Sequence, residues 1–106
     1  MTKQFRSLLA LAMVAALAST VGLAQSRGQA VYNTTCKMCH GPNGAADTPS
    51  AKMLDVKSVS DPYTKSLSDE QMFLSIRNGK GKMKPMPSLT DTQIKDSIFY
   101  FRSFAK

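Results

Sequence analysis

The 106-residue sequence has no tryptophan, a single histidine, two cysteines and only seven acidic residues. Two cysteines exclude a framework of several disulfides, which a small secreted scaffold builds from four or more. One histidine leaves any imidazole chemistry to His40. Six glycines and five prolines against 42% hydrophobic residues exclude collagen-like and disordered compositions, so the chain folds as a globular protein, and its length allows one domain. No segment reads as a strand, and no Gly-rich phosphate cradle followed by Lys-Ser/Thr occurs. The shortage of acids leaves 14 Lys and Arg in excess and a formal charge of +7, which admits an acidic protein surface, an anionic membrane or nucleic acid as partner.

The N-terminus has a different character from the rest. Lys3 and Arg6 precede an apolar stretch from Leu8 to Ala18, and Gly22-Leu23-Ala24 closes it with small residues at the positions a signal peptidase reads. This layout predicts a Sec-type signal peptide over residues 1–24 and a mature domain over 25–106. The competing reading is a retained membrane anchor, but Ser19, Thr20 and Gly22 dilute the far end of the apolar stretch. Cleavage removes two positive charges and leaves the mature chain at about +5. It also leaves no stable membrane insertion and places both cysteines in the periplasm, where a nearby dithiol oxidises unless something occupies it.

The remainder predicts an all-α domain of three to four short helices. A helix spans Gly28 to about Cys36. The run Gly41-Pro-Asn-Gly-Ala-Ala-Asp-Thr-Pro49 is an irregular loop, Ser50 to Leu54 forms a helical turn, and Asp61-Pro62 marks a break. Ser68-Asp-Glu-Gln71 and Thr90-Asp-Thr-Gln93 are capping boxes. The first opens a helix with Met72, Phe73 and Ile76 toward one face, stopped at Asn78-Gly79; the second opens one with Ile94, Ile98 and Phe101 at i, i+4 and i+7. Between them runs Lys80-Gly-Lys-Met-Lys-Pro-Met-Pro87, a basic, proline-stiffened loop. So few core side chains in so small a domain call for a staple.

Cys36-Lys-Met-Cys39-His40 supplies one: C-x-x-C-H is the c-type haem attachment motif. Two thiols can add across the two vinyl groups on one edge of the macrocycle, and the residue after the second then lies under the iron. The alternatives are weaker. A dithiol oxidoreductase places C-x-x-C in a βαβ context, structural zinc needs four ligands where only three are available, and a disulfide across two residues closes too small a loop to stabilise much. Methionine is the usual second axial ligand of an electron-transfer haem, raising its potential. Met1 and Met13 leave with the signal, Met38 lies inside the motif, and Met53 and Met72 read as packing residues. Met83 and Met86 remain.

With these residues assembled, the chain resembles a small class I monohaem cytochrome c of the bacterial periplasmic type. The resemblance rests on Gly28-x-x-x-Tyr32, Cys36-x-x-Cys39-His40-Gly41, the Gly79-Lys-Gly-Lys-Met83 loop, and Leu89-Thr-Asp91 leading into a terminal helix with Tyr100. It implies short helices wrapped around one covalent haem c, attached to Cys36 and Cys39 and ligated by His40 and Met83. Related domains read Met-Pro-Pro-Met-Pro here; Lys84 replaces the first proline, and Met86-Pro87 keeps a Met-Pro pair, so Met86 stands as the alternative ligand. The resemblance further implies that the N- and C-terminal helices cross at Gly28, with Tyr32 and Tyr100 near the contact, and that the Pro49 carbonyl accepts the ring N–H of His40.

With both axial positions filled, the expected activity is one-electron transfer without catalytic acid, base or nucleophile. Lys37, Arg77, Lys80, Lys82 and Lys84 would then form a positive rim that docks acidic redox partners of a monomeric carrier. Nucleic acid is not an expected partner, since no recognition motif occurs. Competing classes are a five-coordinate haem sensor or peroxidase-like enzyme, a haem subunit of a larger redox complex, and an exported dithiol protein.

Overall fold

The computed structural model describes residues 20–106, so most of the predicted signal segment lies outside the described residues. Five helices follow in order. α1 covers residues 20–40 and contains a π-helical stretch, Tyr32–Cys36, before a last α-helical turn, Lys37–His40. α2 is Pro49–Leu54, α3 is Pro62–Ser66, α4 is Asp69–Asn78 and α5 is Asp91–Arg102. Among the described residues there is no strand beyond an isolated bridge between Lys80 and Met83. No described helix is long and apolar enough to cross a membrane.

α1 is longer than the predicted Gly28–Cys36 helix and carries the C-x-x-C-H residues on its own last turns. Thr34 lies inside the π stretch. The Thr34 hydroxyl donates to the carbonyls of Ala30 and Val31 at 3.0 and 3.2 Å, competing inside the helical ladder as threonine does when it bonds back to the preceding turn. Asp61-Pro62, read as a break, instead starts α3: the Asp61 carboxylate accepts from the Tyr63 N–H at 2.9 Å, and Pro62 takes the first helical position, where a missing N–H costs nothing. Thr48 and Pro49 start α2 in the same way. Both predicted capping boxes form, each with its hydroxyl and Gln side chain exchanging bonds with the backbone. Gly79 ends α4 at φ 79°, where a side chain would be strained.

The apolar faces of α4 and α5 meet over Met72, Ile94 and Ile98, with Leu67, Phe73, Ile76, Leu89 and Phe101 around them. Met53, read as a packing residue, is instead 79% exposed, because the six-residue α2 buries a single face, at Ala51. α1 crosses α5 at Gly28. A Cβ there would lie 2.1 Å from the carbonyl oxygen of Asp96 and 2.9 Å from the Cβ of Tyr100, so only glycine allows this approach. Arg27 flanks the crossing and donates to the nearly buried Asp96 carboxylate at 2.9 Å. Tyr32, 1% exposed, packs edge-on to Tyr100 at 5.4 Å and against Phe101 and Phe104.

Candidate functional site

The last turn of α1 ends where backbone carbonyls lack helical partners, and each is met from elsewhere. Thr48 Oγ1 donates to the carbonyl of Met38 at 3.1 Å and approaches that of Cys39 at 3.5 Å. The Ala46 N–H donates to the His40 carbonyl at 3.0 Å. The Tyr32 hydroxyl donates to the Gly41 carbonyl at 2.6 Å. Gly41, at φ 85°, turns the chain away directly after His40. The loop that follows closes on Gly44, whose carbonyl accepts from the Val59 N–H at 2.8 Å. The turn bearing Cys36, Cys39 and His40 is therefore fixed from both sides.

Cys36 and Cys39 are free thiols, both half-buried. Burial, with the neighbouring Cys39 adding to it, pushes the Cys36 thiol up to about 11, which keeps it protonated, opposite to the lowered value of a thiol-exchange cysteine. The His40 ring sits 5.4 Å from Phe101, edge to face. Its Nδ1 is buried without a hydrogen-bond partner, and burial lowers its pKa, so the imidazole is held neutral. The Pro49 carbonyl does not meet Nδ1 as expected. Pro49 is exposed at the first position of α2, where carbonyls run along the helix axis toward the following N–H groups.

Two free thiols spaced to add to the vinyl groups, followed at once by a neutral imidazole able to ligate the iron, fit covalent haem. They do not fit a bare ion: among the described residues no three His, Cys, Asp or Glu side chains are grouped to hold one. A groove of about 630 Å³ between α4 and α5 is lined by Phe73, Ile98, Phe99 and charged residues and includes none of these donors.

The second segment is the Lys80–Leu89 loop. Lys80 and Met83 exchange both backbone bonds, at 2.9 and 3.0 Å. The Met86 N–H donates to the carbonyl of Ile76 at 2.9 Å. Both methionines are half-buried. The two segments border one core: Phe101 touches His40 and packs on the α4–α5 cluster that Ile76 and Leu89 also line.

Lys37, Lys80, Lys82 and Lys84 are exposed, and the Lys80 ammonium donates to the Tyr63 hydroxyl. Arg77 is not part of an outer rim. Its guanidinium donates to the carbonyl of Leu89 at 2.7 Å and to the Asp91 carboxylate at 2.7 Å, because those carbonyl and carboxylate acceptors lie beside the end of α4. The Arg77 contacts and the Tyr32 hydroxyl bond were missed by the sequence reading; both join residues through folding rather than through local spacing.

The family model described as cytochrome C oxidase, cbb3-type, subunit III matches residues 23–100. The solved structure of KustC0563 c-type cytochrome superposes with a TM-score of 0.67 at 29% sequence identity, covering 74% of this chain and 98% of that one. No curated protein matches the chain.

Proposed function

The chain belongs to the c-type cytochrome family described by cytochrome C oxidase, cbb3-type, subunit III, and from that membership we propose that it is a periplasmic one-electron carrier with His40 and Met83 as axial ligands. As a c-type cytochrome it carries covalent haem c, and Cys36 and Cys39 are the residues proposed to anchor it. The observation that supports this reading is the half-buried His40 imidazole, held neutral by burial, directly after two half-buried free thiols.

Haem c supplies an iron that takes and returns a single electron. The protein supplies the rest. Tyr32, Ala46 and Thr48 hold the turn that carries His40, so the ring keeps its place when the charge nearby changes. Phe101 and the α4–α5 core keep water from the imidazole edge. The Lys80–Met83 bridge and the Met86–Ile76 bond present a thioether from a loop whose prolines limit its movement. No proton transfer or covalent step with a substrate is required.

Lys37, Lys80, Lys82 and Lys84, all exposed, are the proposed docking charges for acidic redox partners of a monomer. The family description favours one further reading, the same domain acting as a subunit of a larger redox complex. The test is the oxidised and reduced absorption spectrum of matured protein beside Met83→Ala and Met86→Ala. A thioether-to-iron charge-transfer band that only Met83→Ala abolishes is expected. Absence of that band, together with rapid carbon monoxide binding by the reduced protein, would instead indicate a five-coordinate haem with its sixth position open and a sensor or peroxidase-like function.

A further inference from the structure

Arg77 leaves the last turn of α4 and reaches three acceptors on the loop and one beyond it. Nη1 donates to the carbonyl of Leu89 at 2.7 Å and lies 3.4 Å from those of Met86 and Pro87, while Nη2 meets Asp91 at 2.7 Å. The guanidinium carbon stands 5.8 Å from the centre of the Phe73 ring. Its side chain is 26% exposed, so these bonds are only partly screened.

The loop meets only one of these carbonyls by itself, that of Met86, from the Leu89 N–H at 3.4 Å. Pro85 and Pro87 have no N–H to donate, and the Met86 N–H is spent on Ile76. An arginine side chain presents five N–H donors in one rigid plane and can serve carbonyls and a carboxylate together; a lysine offers one point of charge.

We propose that Arg77 is a positioning residue: it fixes the Met86–Leu89 end of the loop between the end of α4 and the start of α5 and, with Met83 held at the other end by Lys80, keeps the methionine thioether on the haem iron. This rests on the methionine ligation proposed above. Arg102 gives an internal comparison. It ties α5 to the start of α4 through Asp69 and the carbonyl of Leu67, both at 2.6 Å, and touches no part of the loop.

The experiment measures carbon monoxide binding to the reduced, haem-loaded protein, together with the thioether charge-transfer band of the oxidised form and the denaturant midpoint. Arg77→Ala should bind carbon monoxide about tenfold faster than the parent and weaken the band, since losing charge-assisted hydrogen bonds frees the segment. Arg77→Lys should fall between the two. Arg102→Ala should lower the denaturant midpoint yet leave carbon monoxide binding and the band unchanged. Should Arg77→Ala fail to mature, Arg77→Lys and Asp91→Asn are read in its place and must both speed binding. Equal acceleration by Arg102→Ala, or unchanged binding in the Arg77 variants, overturns the proposal. A parent protein with no charge-transfer band overturns the ligation reading instead, so the two failures are told apart.

Discussion

Substituting Gly28 by alanine sets two effects against each other, and the structure decides between them. In an isolated helix the change is favourable by about 1 kcal/mol, because alanine loses less conformational freedom than glycine. At the crossing, the new Cβ would stand 2.1 Å from the Asp96 carbonyl oxygen, 2.8 Å from its carbon and 2.9 Å from the Tyr100 Cβ. The first two are backbone atoms of α5, so no side-chain rotation relieves the overlap and the helices must separate. Overpacking of this kind costs roughly 1–3 kcal/mol and occasionally more; with backbone on one side, the upper end applies. The net expectation is a loss of about 2 kcal/mol, which for a domain of this size lowers Tm by roughly 8–16 °C. Thermal and denaturant unfolding of haem-loaded protein measure it. Gln29→Ala, one residue along on the exposed side of α1, should change stability by less than about 0.5 kcal/mol. A Gly28→Ala protein as stable as its parent would refute the close crossing of α1 and α5.

Tyr32→Phe should cost about 1–2 kcal/mol, from the buried hydroxyl bond to Gly41. Burial raises the Tyr32 phenol above its ordinary value, so the native state keeps a proton that the unfolded chain releases. The stabilisation is complete below pH of about 10 and declines as the pH rises beyond it; the stability gap between parent and Tyr32→Phe should therefore narrow in alkaline denaturant titrations, and a constant gap would contradict this. Ser68→Ala and Thr90→Ala each remove a cap and should each lower unfolding free energy by about 1 kcal/mol. Lys82→Gln with Lys84→Gln should slow electron transfer to an acidic partner and flatten its dependence on ionic strength, as read by stopped-flow mixing; unchanged rates would remove the docking role.

What the sequence disclosed was local. Capping boxes at Ser68 and Thr90 are patterns of four residues, and α4 and α5 begin where those patterns place them. The spacing of Cys36, Cys39 and His40 is likewise contained in five consecutive residues. Asp61-Pro62 shows the limit of punctuation, since the same pair can end a helix or cap one, and here it caps α3. Contacts formed by distant residues stayed hidden. Arg77 looks like one more basic residue beside a basic loop, and only the return of the chain at Leu89 and Asp91 turns it inward. Pro49 shows the converse error: a carbonyl needed near His40 was assigned to a residue whose place at the start of α2 directs it elsewhere.

The thiol anchoring of haem is tested most directly by proteolysis of the matured protein followed by mass spectrometry of the fragment containing Cys36 to His40. The predicted result is one haem on that fragment, lost from the chain only when both Cys36→Ala and Cys39→Ala are introduced together. Two unmodified thiols on the fragment, recovered from cells able to mature other c-type cytochromes, would contradict it.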